Sequence, residues 1–310
     1  MEICWSVHLR VMAHGTMTTD GNTVKRLLAR IKREFPDVQW TSVRIKDEGW
    51  NHFAVILDNS VVFRVPKYEE KRGYFGDEIA LLELVAKHTS VRVPRVTHVS
   101  RDSTIMGYSY LPGDELNASA VELFDEELLR IVSEELALFL GDLHEISPKA
   151  WQDLAVRKTE HERLSSGYHE QLQGRLPDEE CEVIENYLQD LEFCESSCST
   201  RVLLHGDLAL CNVILDRKER RLSIIDFTDW RIGDPACDFS DLYDSPTLVR
   251  EVFQKYRHKG DCDGLLARTE VYNRGIPIFM MIGSFQGYPV RFDESYREFK
   301  RVFGIADKSN

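Results

Sequence analysis

Apolar positions recur along this chain in two periods, and the change from one to the other divides it. Leu27, Leu28 and Ile31 repeat at helical spacing, with Asp20 or Thr23 placed to cap the start and Pro36 to stop it. Apolar runs at 40–46, 53–57 and 61–65, separated by polar turns, have the length and composition of strands. A helical stretch at 74–87, with Ile79, Leu82 and Val85 apolar, leads to two more strand-like runs at 91–100 and 104–111, and Pro112-Gly113 ends that pattern. From Glu122 onward the period is helical: Leu128, Ile131, Leu136, Leu140 and Leu143 mark a long helix, and 153–172 and 178–194 follow as amphipathic segments split by Gly174 and Pro177. His144 closes the long helix with no partner nearby in sequence and reads as structural. Strands followed by helices make an α+β chain.

One hairpin interrupts the helical part. Val213-Ile214-Leu215 and Leu222-Ser223-Ile224-Ile225 flank the polar turn Asp216-Arg217-Lys218-Glu219-Arg220. Immediately before it stands His205-Gly206-Asp207-Leu208-Ala209-Leu210-Cys211-Asn212, and immediately after it Asp226-Phe227. The hairpin therefore returns Asp226 to the side of Asn212. A carboxylate, a carboxamide and a second carboxylate at this spacing are what kinase-type phosphoryl transfer uses. Asp207 would accept the proton of the acceptor hydroxyl. Asn212 and Asp226 would offer oxygen ligands to Mg²⁺, a hard cation.

The run Leu203-Leu204-His205-Gly206-Asp207 to Asn212, with Ile225-Asp226-Phe227 and Asp234-Pro235-Ala236-Cys237-Asp238-Phe239, resembles the aminoglycoside phosphotransferases. It is most similar to their 2''-phosphotransferase branch and to the related macrolide phosphotransferases, and the likeness runs from about Val43 to the C-terminal helices. The resemblance implies a protein-kinase-like two-lobe fold, with a small antiparallel-sheet N-lobe and a larger, mostly helical C-lobe. Residues 1–17 would be an extension, 18–111 the nucleotide lobe and 112–310 the lobe with the catalytic loop and acceptor site. It also implies transfer of the γ-phosphoryl group of ATP or GTP to a hydroxyl of an antibiotic, an aminoglycoside first and a macrolide or metabolite second.

The donor side follows from the same comparison. In Val61-Val62-Phe63-Arg64-Val65-Pro66-Lys67, strand alternation puts Val62 against the base and Arg64 toward the phosphates, where kinases carry a lysine; Lys67 is the alternative. Glu78, or else Glu83, would pair with that cation. Gly49 is the single glycine in the loop that kinases use as a glycine-rich phosphate cover. Tyr108-Ser109-Tyr110-Leu111 would be the hinge, with backbone groups of Ser109 and Leu111 on the purine edge and Tyr108 near the base. Asp238 and His205 are expected to brace the loop of Asp207, and Asp241 and Asp244 to hold amino groups of the acceptor. Ile276-Pro277-Ile278-Phe279-Met280-Met281-Ile282 is apolar where aminoglycoside enzymes often present acid, which suits a macrolide or a core helix.

A net charge of −13 disfavours a nucleic-acid partner and suits a cationic acceptor. Seven cysteines without a CxxC pair indicate a reducing compartment and no zinc site. His8, Arg10 and His14 interrupt any signal-peptide core, Met17 is a candidate start, and no apolar run has membrane-spanning length, so a cytoplasmic location is expected. A catalytically silent nucleotide-binding protein is the reading from another class, against which the presence of Asp207, Asn212 and Asp226 argues. A protein-serine kinase is disfavoured by the short segment between Asp226 and Asp238.

Overall fold

The computed structural model describes residues 20–47, 52–67, 75–154, 157–257 and 264–306. The expectations for Gly49, for the N-terminal extension and for a start at Met17 lie outside those residues. Helix α1 (Gly21–Glu34) begins where the Asp20 carboxylate caps the amides of Asn22 and Thr23 and ends at Phe35, before Pro36. Strands β1 (Val43–Lys46), β2 (His52–Leu57) and β3 (Val61–Pro66) precede helix α2 (Gly76–His88), and β4 (Val96–Val99) and β5 (Met106–Ser109) follow it. The five strands form one antiparallel sheet in the order β1-β2-β3-β5-β4.

Alternation gives this sheet two different faces. Phe53, Val55, Leu57, Phe63 and Val65 pack with Leu27 and Ile31 of α1 into one small core. Ala54, Ile56, Val62 and Arg64 point the other way, into a cleft. The apolar run at 91–100 yields a strand only over its second half. Pro94 offers no N–H to a ladder, and Arg92 instead makes an isolated parallel bridge to Ser223 of the later hairpin.

The rest of the chain is mostly helical. It comprises α3 (Glu126–His144), α4 (Glu160–Gly167), α5 (Asp178–Ser197), α6 (Pro246–Lys255), α7 (Leu265–Arg274), α8 (Ile276–Phe285) and α9 (Phe292–Val302), with shorter helical turns between them. The segment read as one helix over 153–172 starts later. Thr159 and Glu162 form a capping box at α4, and the helix continues as a π-turn, Tyr168–Leu172. Of the short strands β6 (Asp114–Glu115), β7 (Val202–Leu204), β8 (Val213–Asp216), β9 (Arg221–Ile224) and β10 (Arg231–Gly233), β6, β8 and β10 contribute residues to the cleft. β8 and β9 pair from Val213↔Ile224 to Asp216↔Arg221, the hairpin expected from the sequence, and Ile225 leaves the ladder to donate its amide to the carbonyl of Asn212 at 3.0 Å. β7 pairs with β10, setting Leu204 opposite Arg231. No helix among the described residues is long and apolar enough to cross a membrane.

Candidate active site

The chain leaves β7 at Leu204 and turns sharply through Gly206, whose φ of +81° is open to glycine and strained for other residues. A Cβ there would lie 2.1 Å from the carbonyl oxygen of Asp229, so the loop holding Asp207 and the turn after Asp226 are in direct backbone contact. Asp238, fully buried, anchors this loop from below. Its carboxylate accepts from the amides of His205 at 2.9 Å and Gly206 at 2.8 Å and from the His144 imidazole at 3.1 Å. Burial opposes ionisation of Asp238, but these donors and the neighbouring imidazoles hold its carboxyl below the usual range. His144 thus has partners that local sequence did not reveal: Asp238, and the Tyr256 hydroxyl at 2.7 Å.

His205 lies under the same loop. Its Nε2–H donates to the carbonyl of Ile225 at 3.0 Å while its Nδ1 accepts from the amide of Asp207 at 3.3 Å, which selects the neutral tautomer. Burial lowers its pKa in agreement. Its ring contacts Phe227 at 4.5 Å between centroids. Asp238 and His205 both act on backbone groups of the loop. Replacing Asp238 with Ala leaves the amides of His205 and Gly206 and a buried imidazole without their acceptor, and is expected to lower unfolding free energy by about 3 kcal/mol in a denaturant titration.

The three side chains that opened the chemical reading converge. The Asn212 amide donates to the carbonyl of Asp207 at 2.7 Å and to its carboxylate at 3.0 Å, which turns the Asn212 carbonyl oxygen away from that residue. Asp226 stands at the end of the hairpin in the left-handed region, φ 64° and ψ 70°, a conformation that Asp tolerates better than most residues. Its carboxylate accepts from the Thr228 hydroxyl at 2.6 Å and pairs with Arg64 at 3.1 Å. Desolvation would raise its pKa, but Arg64 and Thr228 keep it below the usual range.

Arg64 descends from the sheet onto this group. It pairs with Glu78 of α2 at 2.5 Å and donates to the Thr228 hydroxyl at 2.7 Å. Burial pushes the Glu78 carboxyl up, to about 7, against the pull of Arg64. Lys67, the alternative cation, is bound to Asp47 at 2.5 Å and does not line the cleft.

The cleft has a volume of about 440 Å³ and spans both the sheet and the helical body. Its end under the sheet is lined by Ile56, Val62, Tyr108, Tyr110 and Leu111, and Lys46 of β1 pairs with Glu115 of β6 across it. Ser109 stays outside the lining, because its amide is directed to the carbonyl of Arg95. The other end is lined by Glu160, Arg163, Asp229, Asp241, Phe279 and Met280, with Asp207 between the two ends. Asp241 lines the cleft but also accepts from the amide of Leu208 at 3.0 Å, and Asp244 does not line it. In α8, Ile278, Met281 and Ile282 are buried away from the cleft while Ile276, Phe279 and the buried Met280 line it, so this helix is both core and wall.

Arg163 pairs with Asp229 at 3.1 Å and lies over the Phe279 ring at 5.3 Å. Glu160, Arg163, Asp229 and Thr228 were not singled out from sequence. For Glu160 and Arg163 the signal in sequence was the capping pair Thr159 and Glu162, which announces a helix start and nothing about a cleft.

A model of the phosphotransferase enzyme family matches residues 43–271. Among solved structures, the chain is similar to the GDP and kanamycin complex of APH(2'')-IIIa, at 21% identity and a TM-score of 0.76, with 90% of this chain and 97% of that chain covered. It is similar to the gentamicin complex of APH(2'')-IIa at 20% identity and a TM-score of 0.69, with 94% and 98% covered. It is also similar to macrolide 2'-phosphotransferase MphH from Brachybacterium faecium, at 18% identity and a TM-score of 0.67, with 92% and 100% covered. At these identities the structural likenesses establish the fold.

Proposed function

Because the chain belongs to the phosphotransferase enzyme family, we propose that it transfers the γ-phosphoryl group of ATP or GTP to a hydroxyl of a small molecule, an aminoglycoside in the first place. The observation that carries this is the junction of Asp207, Asn212 and Asp226 midway along a cleft with an apolar end under the sheet and an acidic end among the helices. The base of the nucleotide would lie against Ile56, Val62 and Tyr108, with its phosphates directed toward Arg64. The acceptor would lie beyond Asp207, near Asp229, Glu160 and Asp241.

Asp207 takes the proton of the attacking hydroxyl in this reading and holds that oxygen in line with the phosphorus. Asn212 keeps the Asp207 side chain in one orientation. The donor set suits magnesium, since the carboxamide oxygen of Asn212 and the carboxylate of Asp226 are hard ligands that leave room for phosphate oxygens. Magnesium, when bound, neutralises the phosphate charge that develops during transfer. Arg64 adds a fixed positive charge, and Glu78 and Thr228 prevent it from swinging away.

A second acceptor class is favoured by one specific feature, the apolar wall of Ile276, Phe279 and Met280 on α8. Such a wall suits a macrolide better than a polyamine. The two are separated by incubating the protein and magnesium with ATP or GTP and a panel of aminoglycosides and macrolides, and scoring phosphorylated products by mass. Phosphorylated aminoglycosides are the expected result. Product only from macrolides would move the acceptor assignment to the second class, and absence of product across the panel would overturn both.

A further inference from the structure

Arg231 carries a permanent charge at a site only 4% exposed, where burial is costly unless its donors are matched. Three hydrogen bonds and one ion pair meet it, from four segments. Nη1 donates to the carbonyl of Gly206 at 3.0 Å and to the carbonyl of Asp229 at 3.0 Å. Nη2 pairs with the Glu160 carboxylate at 2.8 Å and donates to the Cys237 sulfur at 2.9 Å. Burial pushes the Cys237 thiol well above its ordinary pKa, so this sulfur is a neutral acceptor.

These partners have different duties. Gly206 precedes Asp207, Asp229 follows Asp226, Glu160 begins the cleft helix α4, and Cys237 precedes the anchor Asp238. Backbone pairing places Arg231 opposite Leu204, beside the start of the Asp207 loop. The contact between Gly206 and Asp229 leaves little space between the two loops, and Nη1 bonds to both of the carbonyls that meet there.

We propose that Arg231 is a positioning residue for phosphoryl transfer: its guanidinium fixes the spacing between the loop that carries Asp207 and the turn that carries Asp226, and Glu160 holds the guanidinium in place. The proposal rests on the phosphotransferase reading of Asp207 and Asp226. A lysine at this position supplies one compact ammonium in place of a planar fork, and does not bond both carbonyls and the carboxylate together. Displacement of catalytic groups by about 1 Å costs on the order of 100-fold in rate. The loss is expected on kcat, because the guanidinium, although it lines the cleft, is only 4% exposed and is engaged by protein groups of both loops.

The test uses the full chain with an acceptor that the wild type phosphorylates. No product from the wild type with any acceptor defeats the functional reading before Arg231 is varied. Arg231→Lys and Arg231→Ala are then compared at equal nucleotide-binding stoichiometry, which counts folded molecules. Both are expected to lose about 100-fold in kcat with the nucleotide KM within about threefold of wild type. Added guanidinium ion is expected to restore at least about tenfold to Arg231→Ala, and methylammonium none. Should Arg231→Ala fail to fold, Arg231→Lys carries the test through the same split between kcat and nucleotide KM. Folded Arg231→Lys with wild-type kcat, a loss lying wholly in KM, or no rescue of folded Arg231→Ala by guanidinium would each overturn the proposal.

Discussion

Replacing Asp207 with Ala is expected to lower turnover by about 10²- to 10⁴-fold while leaving nucleotide binding within about twofold of wild type. The size follows from what the carboxylate would do. It receives the proton of a hydroxyl that is a weak nucleophile while protonated, and removal of a positioned base costs this much across enzymes that use one. The split between turnover and binding follows from geometry. Asp207 lies between the two ends of the cleft, and the groups that would hold the nucleotide, Arg64, Asp226 and the apolar residues under the sheet, belong to other elements. The loop itself should persist in the variant. The Asp207 carbonyl still accepts from Asn212, and Asp238 and His205 hold backbone groups that an alanine retains. Turnover and nucleotide titration on the same preparation check this, and wild-type-like turnover would remove Asp207 from the mechanism.

The second large effect is expected at Asp226. Asp226→Asn keeps a side chain tolerant of left-handed backbone and able to bond Thr228, but loses the charge. Magnesium should then no longer tighten nucleotide binding, and turnover should fall by about 10³-fold, the equivalent of several kcal/mol of lost charge stabilisation. The contrast with Asp207 is diagnostic, since one variant loses turnover with binding intact and the other loses both. Isothermal titration of nucleotide with and without magnesium reads it directly. Undiminished magnesium linkage in Asp226→Asn would place the cation elsewhere. Chelation of magnesium from the wild type is expected to reproduce the behaviour of Asp226→Asn.

The parts legible in the sequence were those that neighbouring residues dictate. Asn212 and Asp226 meet because the hairpin between them closes locally, and its apolar and polar positions announce it. Arg64 was placed by alternation, since Phe63 and Val65 must enter the core under α1 and Arg64 must face the other way. The five-strand sheet and the helical remainder followed from the change of period.

What escaped was whatever depends on distant segments meeting. His144 and Asp238 are 94 residues apart, and neither has a local pattern that names the other. Arg231 reads as an ordinary strand residue until β7, α4 and the Asp207 loop close around it. Glu160 and Arg163 follow a helix cap and look like a solvated first turn. The apolar run at 91–100 promised a longer strand than Pro94 permits. Ser109 and Asp244 were assigned by position in a family pattern, and neither is in the cleft lining.

The central claim is that the cleft passes a phosphoryl group from nucleotide to a hydroxyl. It is tested most directly by incubating the wild type with γ-labelled nucleotide, magnesium and the best acceptor of the panel, and counting label in acceptor against nucleotide consumed. One labelled acceptor per nucleotide consumed is expected from the wild type, with only background label from Asp207→Ala at matched nucleotide occupancy. Label appearing only as free phosphate, or equal transfer by Asp207→Ala, would contradict it.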